Sequence, residues 1–338
     1  MVKKCVYFSL DNQTQNKDKN KNKKIHKLVP LDFYIINEIT NISNIKKYKT
    51  HFYTCKNTSS LKITDKEIKE IKEIKETKEK ETIILEFKDI ILYNFNDYLQ
   101  SLNSFKIYIL TIINSYNHLL DSISLLLEHN LIHNHITLDN ILVDKHENIL
   151  LSNFSLSISI PLFLSMPFST QNNIKQFFLT YDPEYILFPL ELHIFSYMLN
   201  KNIESLSLYN IESIINDVII HNKILNIFGN KIVTLYTQEG LSYFKKYINV
   251  KIHDVYKDIF TYSHTWDNFS LSIQYLKILI KIHQKINKKK FIVLFMNLLV
   301  TNIHSVPSKR LTISQTKEKF NNILEQLSSN DYKDIINS

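Results

Sequence analysis

The sequence predicts an α+β protein in which a small β-rich N-terminal part precedes a larger, mainly helical part. Three observations carry this reading. Thr82–Phe87 (TIILEF) is an apolar run of strand length that follows a long polar stretch. Ile141–Val143 and Ile149–Leu151 flank the polar turn Asp144–Asn148, which is the pattern of a β-hairpin. Between Ile107 and Leu127, the residues Ile109, Ile112, Ile113, Tyr116, Leu119, Leu120 and Ile123 recur with the period of an amphipathic helix.

A chain of 338 residues accommodates one large domain or two. Hydrophobic residues make up 44% and charged residues 22%, enough to build a sizeable core and to exclude global disorder. The excess of Ile, Asn and Lys resembles an AT-rich coding bias, so the net charge of +8 is a weak sign of function. Much of the Lys sits in two polar runs, 17–27 and 66–80, which read as solvated faces and not as a nucleic-acid recognition element. Cys5 and Cys55 are the only cysteines and have neither metal-ligand spacing nor a disulfide framework, so a reducing, cytoplasmic setting is expected. The most apolar window, Phe291–Val300, is interrupted by Asn297 and is too short to cross a bilayer. With no signal-peptide apolar region at the N-terminus, no membrane is expected as a partner.

In chain order, the pattern predicts one strand within residues 1–10 and a second at Ile25–Val29, separated by a Lys/Asn-rich loop. Pro30 opens a helix marked by Leu31, Ile35, Ile36 and Ile39, since a proline at a helix start removes only an N–H that lacks an intrahelical partner anyway. His51–Cys55 and Thr82–Phe87 are expected as strands, and residues 62–82 between them as an exposed KEI-rich insertion. Its period of three drifts around a 3.6-residue helix and leaves no broad apolar stripe. Asn94–Leu99 starts a short helix, and the long helix 107–127 follows.

The stretch Leu131–Ser155 (LIHNHITLDNILVDKHENILLSNFS) holds two polar loops at one edge of the hairpin. Its first loop reads H-N-H-I-T-L-D-N and its second N-F-S. This arrangement resembles the core of the eukaryotic-type Ser/Thr protein kinases, with H-R-D-L-x-x-x-N followed by D-F-G. On that pattern His133 is the His, His135 stands for the catalytic Asp, Asn140 is the Asn, and Asn153 stands for the metal-binding Asp. Further on, Phe188-Pro189-Leu190-Glu191 resembles the A-P-E triplet. Trp266-Asp267-Asn268-Phe269-Ser270 resembles the start of the helix written D-x-W-S-x-G, and Val306–Thr312 resembles the last part of the large lobe.

The resemblance implies a two-lobed kinase-like fold, with residues 1–88 as a reduced N-terminal lobe and 89–338 as a helical C-terminal lobe. Residues 192–262 are then an insertion, since the gap between Glu191 and Asp267 exceeds the family's. It also implies positions for nucleotide contacts. Lys27 stands at the phosphate-pairing Lys, or is a surface Lys in a Lys-rich run; Asp32, with Glu38 as alternative, stands at the Glu that pairs with it. Asn140 and Asn153 hold the Mg²⁺ positions. Arg310 is the only Arg among 41 Lys and Arg residues, and it falls where the family places the Arg that pairs with Glu191. A planar guanidinium grips a carboxylate with two parallel bonds, which an ammonium cannot do.

The chemistry of phosphoryl transfer is largely missing from this frame. His135 carries no anionic charge, Asn153 offers a neutral oxygen, and neither Gly229 nor Gly240 lies in the N-terminal part, so no Gly-rich phosphate loop can form there. Asp139 is the neighbouring carboxylate. His129, His133 and His135 invite a metal reading but lack an acidic or Cys partner at matching spacing. The expectation is a pseudokinase acting as a binding or regulatory scaffold for an unidentified protein partner, similar to kinase-like proteins of large DNA viruses. It would act in the host cell cytoplasm or the virion. The alternative is a divergent active Ser/Thr protein kinase, which alone requires ATP and Mg²⁺.

Overall fold

The chain builds a mixed α+β architecture with a small, open β-sheet region and a large, mostly helical region. The computed structural model describes residues 6–9, 31–45, 48, 50–62, 81–87, 90–165, 178, 181–283 and 290–327. Strands β1 (Val6–Ser9), β2 (Cys55–Lys62) and β3 (Glu81–Phe87) form an antiparallel sheet in the order β1-β3-β2. The predicted strand Ile25–Val29 lies outside the described residues, as does Lys27. Helix α1 (Leu31–Asn44) begins directly after Pro30 and buries Ile35, Ile39 and Ile42.

Two sequence expectations need correcting in this region. The strand is Cys55–Lys62 and not His51–Cys55. Phe52 makes only an isolated parallel bridge to Leu151: the His51 carbonyl accepts from Leu151 N and Tyr53 N donates to the Leu151 carbonyl, each at 2.9 Å. Backbone groups of 51–53 are thereby committed to another part of the molecule. The strands also reach into the expected insertion 62–82, because Lys62 pairs with Glu81 and Leu61 with Thr82.

Strand β4 (Leu92–Asn94) leads into helix α2 (Phe95–Ser101), capped by the Asn94 side chain accepting from Asn96 N at 2.9 Å. Helix α3 (Phe105–Glu128) contains the predicted amphipathic run and buries Ile109, Ile112, Tyr116, Leu119, Leu120 and Ile123. It delivers the chain to β5 (Leu131–Ile132). The predicted hairpin is β6 (Ile141–Asp144) and β7 (Ile149–Leu151), antiparallel with Val143 opposite Ile149, and β4 completes its sheet. β5 pairs with β8 (Ile158–Ser159), followed by α4 (Ile160–Ser165).

The rest is helical: α5 (Leu190–Lys201), α6 (Leu208–His221), α7 (Lys223–Ile227), α8 (Asn230–Phe244), α9 (Ile252–Phe260), α10 (Trp266–His283), α11 (Lys290–Asn302) and α12 (Ile313–Glu325). Thr312 and Gln315 close a reciprocal capping box at the start of α12. Tyr116 of α3 meets Tyr275 of α10, Phe295 of α11 and Phe320 of α12 edge-on, with ring centroids 4.8, 4.8 and 4.9 Å away. Burial of these rings joins the four helices, because each aromatic removes a large apolar area from water. No helix among the described residues is long and apolar enough to cross a membrane.

Only two glycines are present, and among the described residues asparagine takes all but one of the left-handed non-glycine positions: Asn130, Asn134, Asn153, Asn202 and Asn249 have φ between 52° and 59°, and Glu147 has φ 63°. The short polar side chain of asparagine tolerates that conformation better than most.

Candidate functional site

The two polar loops at the end of the hairpin converge on the start of α10. The buried carboxylate of Asp267 accepts the backbone N–H of His133 at 2.7 Å and that of Asn134 at 2.8 Å. Asn134 has φ 59°, which turns the chain sharply enough for two successive N–H groups to face one carboxylate. Burial pushes the Asp267 carboxyl up to about 6, and the two N–H bonds oppose that shift.

His133 is fully buried and both of its ring nitrogens are engaged. Nδ1 accepts from His135 N at 3.2 Å, so Nε2 carries the proton and donates to the Ser152 carbonyl at 2.9 Å. Burial lowers its pKa to about 3. Its ring also meets Phe154 edge-on at 4.9 Å. His133 therefore ties the two loops together, and no lone pair remains for a metal shared with His135.

His135 is half-buried, and burial lowers its pKa, so the ring is neutral near pH 7. Nδ1 shares a short hydrogen bond with the Tyr185 hydroxyl, and the two rings stack with an interplanar angle of 16°. Burial raises the Tyr185 pKa, which keeps the phenol protonated.

Asn140 is set by a 3-10 turn, Leu138–Asn140, whose cap Thr137 accepts from Asn140 N at 3.2 Å. Its Nδ2 donates to the His135 carbonyl at 2.8 Å, and its Oδ1 accepts from Asn153 Nδ2 at 3.0 Å. Asn153, in the left-handed conformation, in turn accepts the Ser155 hydroxyl on Oδ1 at 2.8 Å. The positions standing for the two Mg²⁺ ligands are thus bonded to each other, amide to amide.

That donor set does not fit a magnesium–nucleotide complex. A hard cation bridging phosphates is held by carboxylates. Here there are two carboxamide oxygens, each already accepting a hydrogen bond. Asp139 does not replace the missing acid, because its Oδ1 accepts from Asn94 Nδ2 at 3.0 Å and it lines a cleft that includes neither Asn140 nor Asn153. Among the described residues, no group of three or more His, Cys, Asp and Glu side chains is arranged to hold a metal ion. Asp32 falls in the first turn of α1, and Glu38 lies two turns further along the same helix.

Away from the loops, Arg310 and Glu191 form a two-pronged pair with both side chains fully buried. Nη1 reaches Oε1 at 2.5 Å and Nη2 reaches Oε2 at 2.8 Å. Arg310 Nε donates to the His304 carbonyl at 2.8 Å, and Trp266 Nε1 donates to Glu191 Oε1 at 3.1 Å. Each guanidinium nitrogen and both Glu191 oxygens thus have a partner, the condition under which a buried ion pair is tolerated.

The sequence brings forward His133, His135, Asn140, Asn153 and Asp267, and these do come together. It misses Tyr185, the partner of His135, and Trp266 as a partner of Glu191. Tyr185 lies in a segment without periodicity, and only its place shortly before Phe188-Pro189 marks it. Searches against protein-family models and against curated proteins find no match for this chain.

Proposed function

We propose that the chain is a protein-kinase-like protein with a two-lobed fold, and that it works as a pseudokinase, a binding or regulatory scaffold for a protein partner. The reading is supported by the order and spacing of the loop motifs and by the contacts of His133, Asp267, Glu191 and Arg310. The single observation that carries the scaffold role is the hydrogen bond between Asn153 and Asn140. Transfer of a phosphoryl group relies on charge neutralisation and on a base at the hydroxyl. Here the two metal positions satisfy each other, and the base position is a neutral ring tied to a tyrosine.

The test is an autophosphorylation assay, with a generic basic protein as second substrate, on the natural sequence, on Asn140→Ala and on His135→Asp/Asn153→Asp. The natural protein is expected to incorporate no phosphate above the Asn140→Ala background. Its melting is expected to be insensitive to ATP with Mg²⁺, where a ligand at a hundred times its dissociation constant adds about 2.7 kcal/mol.

One observation favours a second reading, a divergent active kinase using ATP and Mg²⁺. His135 is kept neutral by burial and so can accept a proton. Phosphate incorporation by the natural protein that disappears in Asn140→Ala selects this reading over the first.

A further inference from the structure

Among the described residues, thirteen large apolar side chains are well exposed, and five of them, Leu208, Tyr209, Ile220, Ile227 and Leu235, fall on α6, α7 and α8. Uncovered apolar surface is therefore concentrated in the 192–262 stretch, which supplies no residue to the loop site. Helix α6 is the clearest case. Its inner face buries Ile211, Ile214, Ile215, Val218 and Ile219. Its outer stripe is Tyr209, Ser213, Asn216 and Ile220, spaced four, three and four residues apart as one side of a helix requires. The stripe begins and ends on the two most exposed of the thirteen, Tyr209 at 76% and Ile220 at 69%. A contiguous exposed apolar surface of this kind marks a site of interaction.

The charges beside the stripe decide what covers it. Glu212 stands next to its first half, and the exposed Lys223 follows directly on its end. Neither has an ion-pair partner among the described residues. The other nearby charges are turned elsewhere: His221 faces Glu184 at 3.6 Å, and Asp217 lies beside the Tyr181 phenol. A face that is acidic toward one end, basic at the other and apolar along its length is self-complementary. Turned end for end onto its own copy, it brings each Glu212 to the Lys223 end of the other helix and each Tyr209 to the Ile220 end. An anionic bilayer would repel Glu212, and a partner of one charge sign would leave one end of the stripe facing its like.

We propose that the outer stripe of α6 is an interface between two copies of this chain, paired antiparallel about a two-fold axis near Asn216 with Glu212 of each copy against Lys223 of the other. The pairing lies outside the loop site and needs neither nucleotide nor phosphoryl transfer.

The experiment is sedimentation velocity of the full chain over a range of concentrations. At about 100 μM the natural protein is expected to sediment with twice its mass of 40.1 kDa and to return to the monomer on dilution, as a contact of modest area requires. Glu212→Lys and Lys223→Glu each set like charges together at two symmetry-related places, so either should raise the dissociation constant about tenfold or more. The double reversal, Glu212→Lys with Lys223→Glu, recreates both contacts and should restore the natural value. Ile220→Ser should also dissociate the pair. Melting of the diluted monomer should be the same in all these variants, because the replaced side chains lie at the surface. A natural protein that is monomeric at the highest concentration overturns the proposal, and if that monomer co-sediments with phosphatidylserine vesicles unless Ile220 is replaced, the surface belongs to a bilayer instead. A dimer that Ile220→Ser and both single reversals leave intact overturns it too, as does a loss of pairing that the double reversal fails to restore.

Discussion

Trp266 and Arg310 approach the same oxygen of Glu191, the indole N–H at 3.1 Å and the guanidinium Nη1 at 2.5 Å. Trp266 is also the first residue of α10, so the ion pair is fastened to the helix that holds the His133 loop. Breaking a fully buried pair by removing one partner strands a charge and costs about 3–5 kcal/mol. Arg310→Ala should therefore lower stability by that order in urea unfolding, and Arg310→Lys should also destabilise because the two-pronged geometry is lost. An unchanged melting temperature in Arg310→Ala would contradict this account of the last helices.

The pH dependence of stability follows from the buried titrating groups. His133 and His193 are both fully buried, and burial lowers each to about 3, so they stay neutral in the folded chain and take up protons on unfolding below the ordinary 6.5. Their contribution to stability is present above about pH 6.5 and is lost as pH falls through the window toward 3. Asp267, pushed up to about 6 from 3.8, acts in the opposite sense, contributing below that range and losing its contribution as pH rises through it. The lowered histidines, with His51 brought down to about 4 by burial and so joining His133 and His193, outnumber the one raised carboxyl, so stability should rise with pH between about pH 4 and 6. Asp267→Asn should steepen that rise while lowering stability overall, since an amide cannot accept both N–H groups. Urea unfolding across the range checks both the slope and its change.

Gly240 of α8 lies against the loop that carries Arg310. A Cβ built there would sit 3.0 Å from Leu190 Cδ1 and 3.3 Å from Ser305 Cβ. Leu190 can shift its side-chain end, but Ser305 is tied to the loop that positions Arg310. Gly240→Val should cost about 1–3 kcal/mol, the usual penalty for overpacking a core, with a matching drop in melting temperature. Glu239, the preceding residue, bonds both His304 Nε2 at 2.8 Å and Lys309 Nζ at 3.0 Å. Glu239 and Gly240, within the 192–262 stretch, are by these contacts part of the surroundings of the loop that carries Arg310.

Tyr185→Phe removes the hydroxyl from His135 Nδ1 and keeps the stacked ring. Imidazole nitrogen chemical shifts should report a changed tautomer distribution, with His135 still titrating below the ordinary histidine value because burial is unchanged. A titration moved up to 6.5 would show that the hydroxyl, and not burial, holds the ring neutral.

What the sequence makes legible is local. The period of α3 and the two apolar runs of the β6–β7 hairpin are set by neighbours a few residues apart, and both elements form where the pattern puts them. Arg310 stands out because a Lys-rich chain uses guanidinium only once. The misplaced strand is instructive. His51-Phe52-Tyr53 has the aromatic content of a strand, yet His51 is drawn to Ser122 of α3 at 2.8 Å and its ring stacks on His118 at 4.4 Å. The more polar Cys55–Lys62 takes the ladder, because β3 is there to receive it. Likewise, no pattern reveals that Asn153 bonds Asn140 or that Tyr185 bonds His135. Those contacts depend on how the two loops and the segment before α5 are brought together by α10.

The asparagines at left-handed corners bear on the unfolded chain as well as the folded one. A glycine at such a corner leaves the denatured backbone free to roam, and folding must remove that freedom; an asparagine explores less before folding and loses less on doing so. Asn202 and Asn249, at the corners after α5 and before α9, hold φ of 52° and 59° without glycine's latitude. A chain with two glycines in 338 residues thus starts folding from a stiffer ensemble than a glycine-rich chain of equal length. Its turns store mild backbone strain in exchange for a smaller entropy loss.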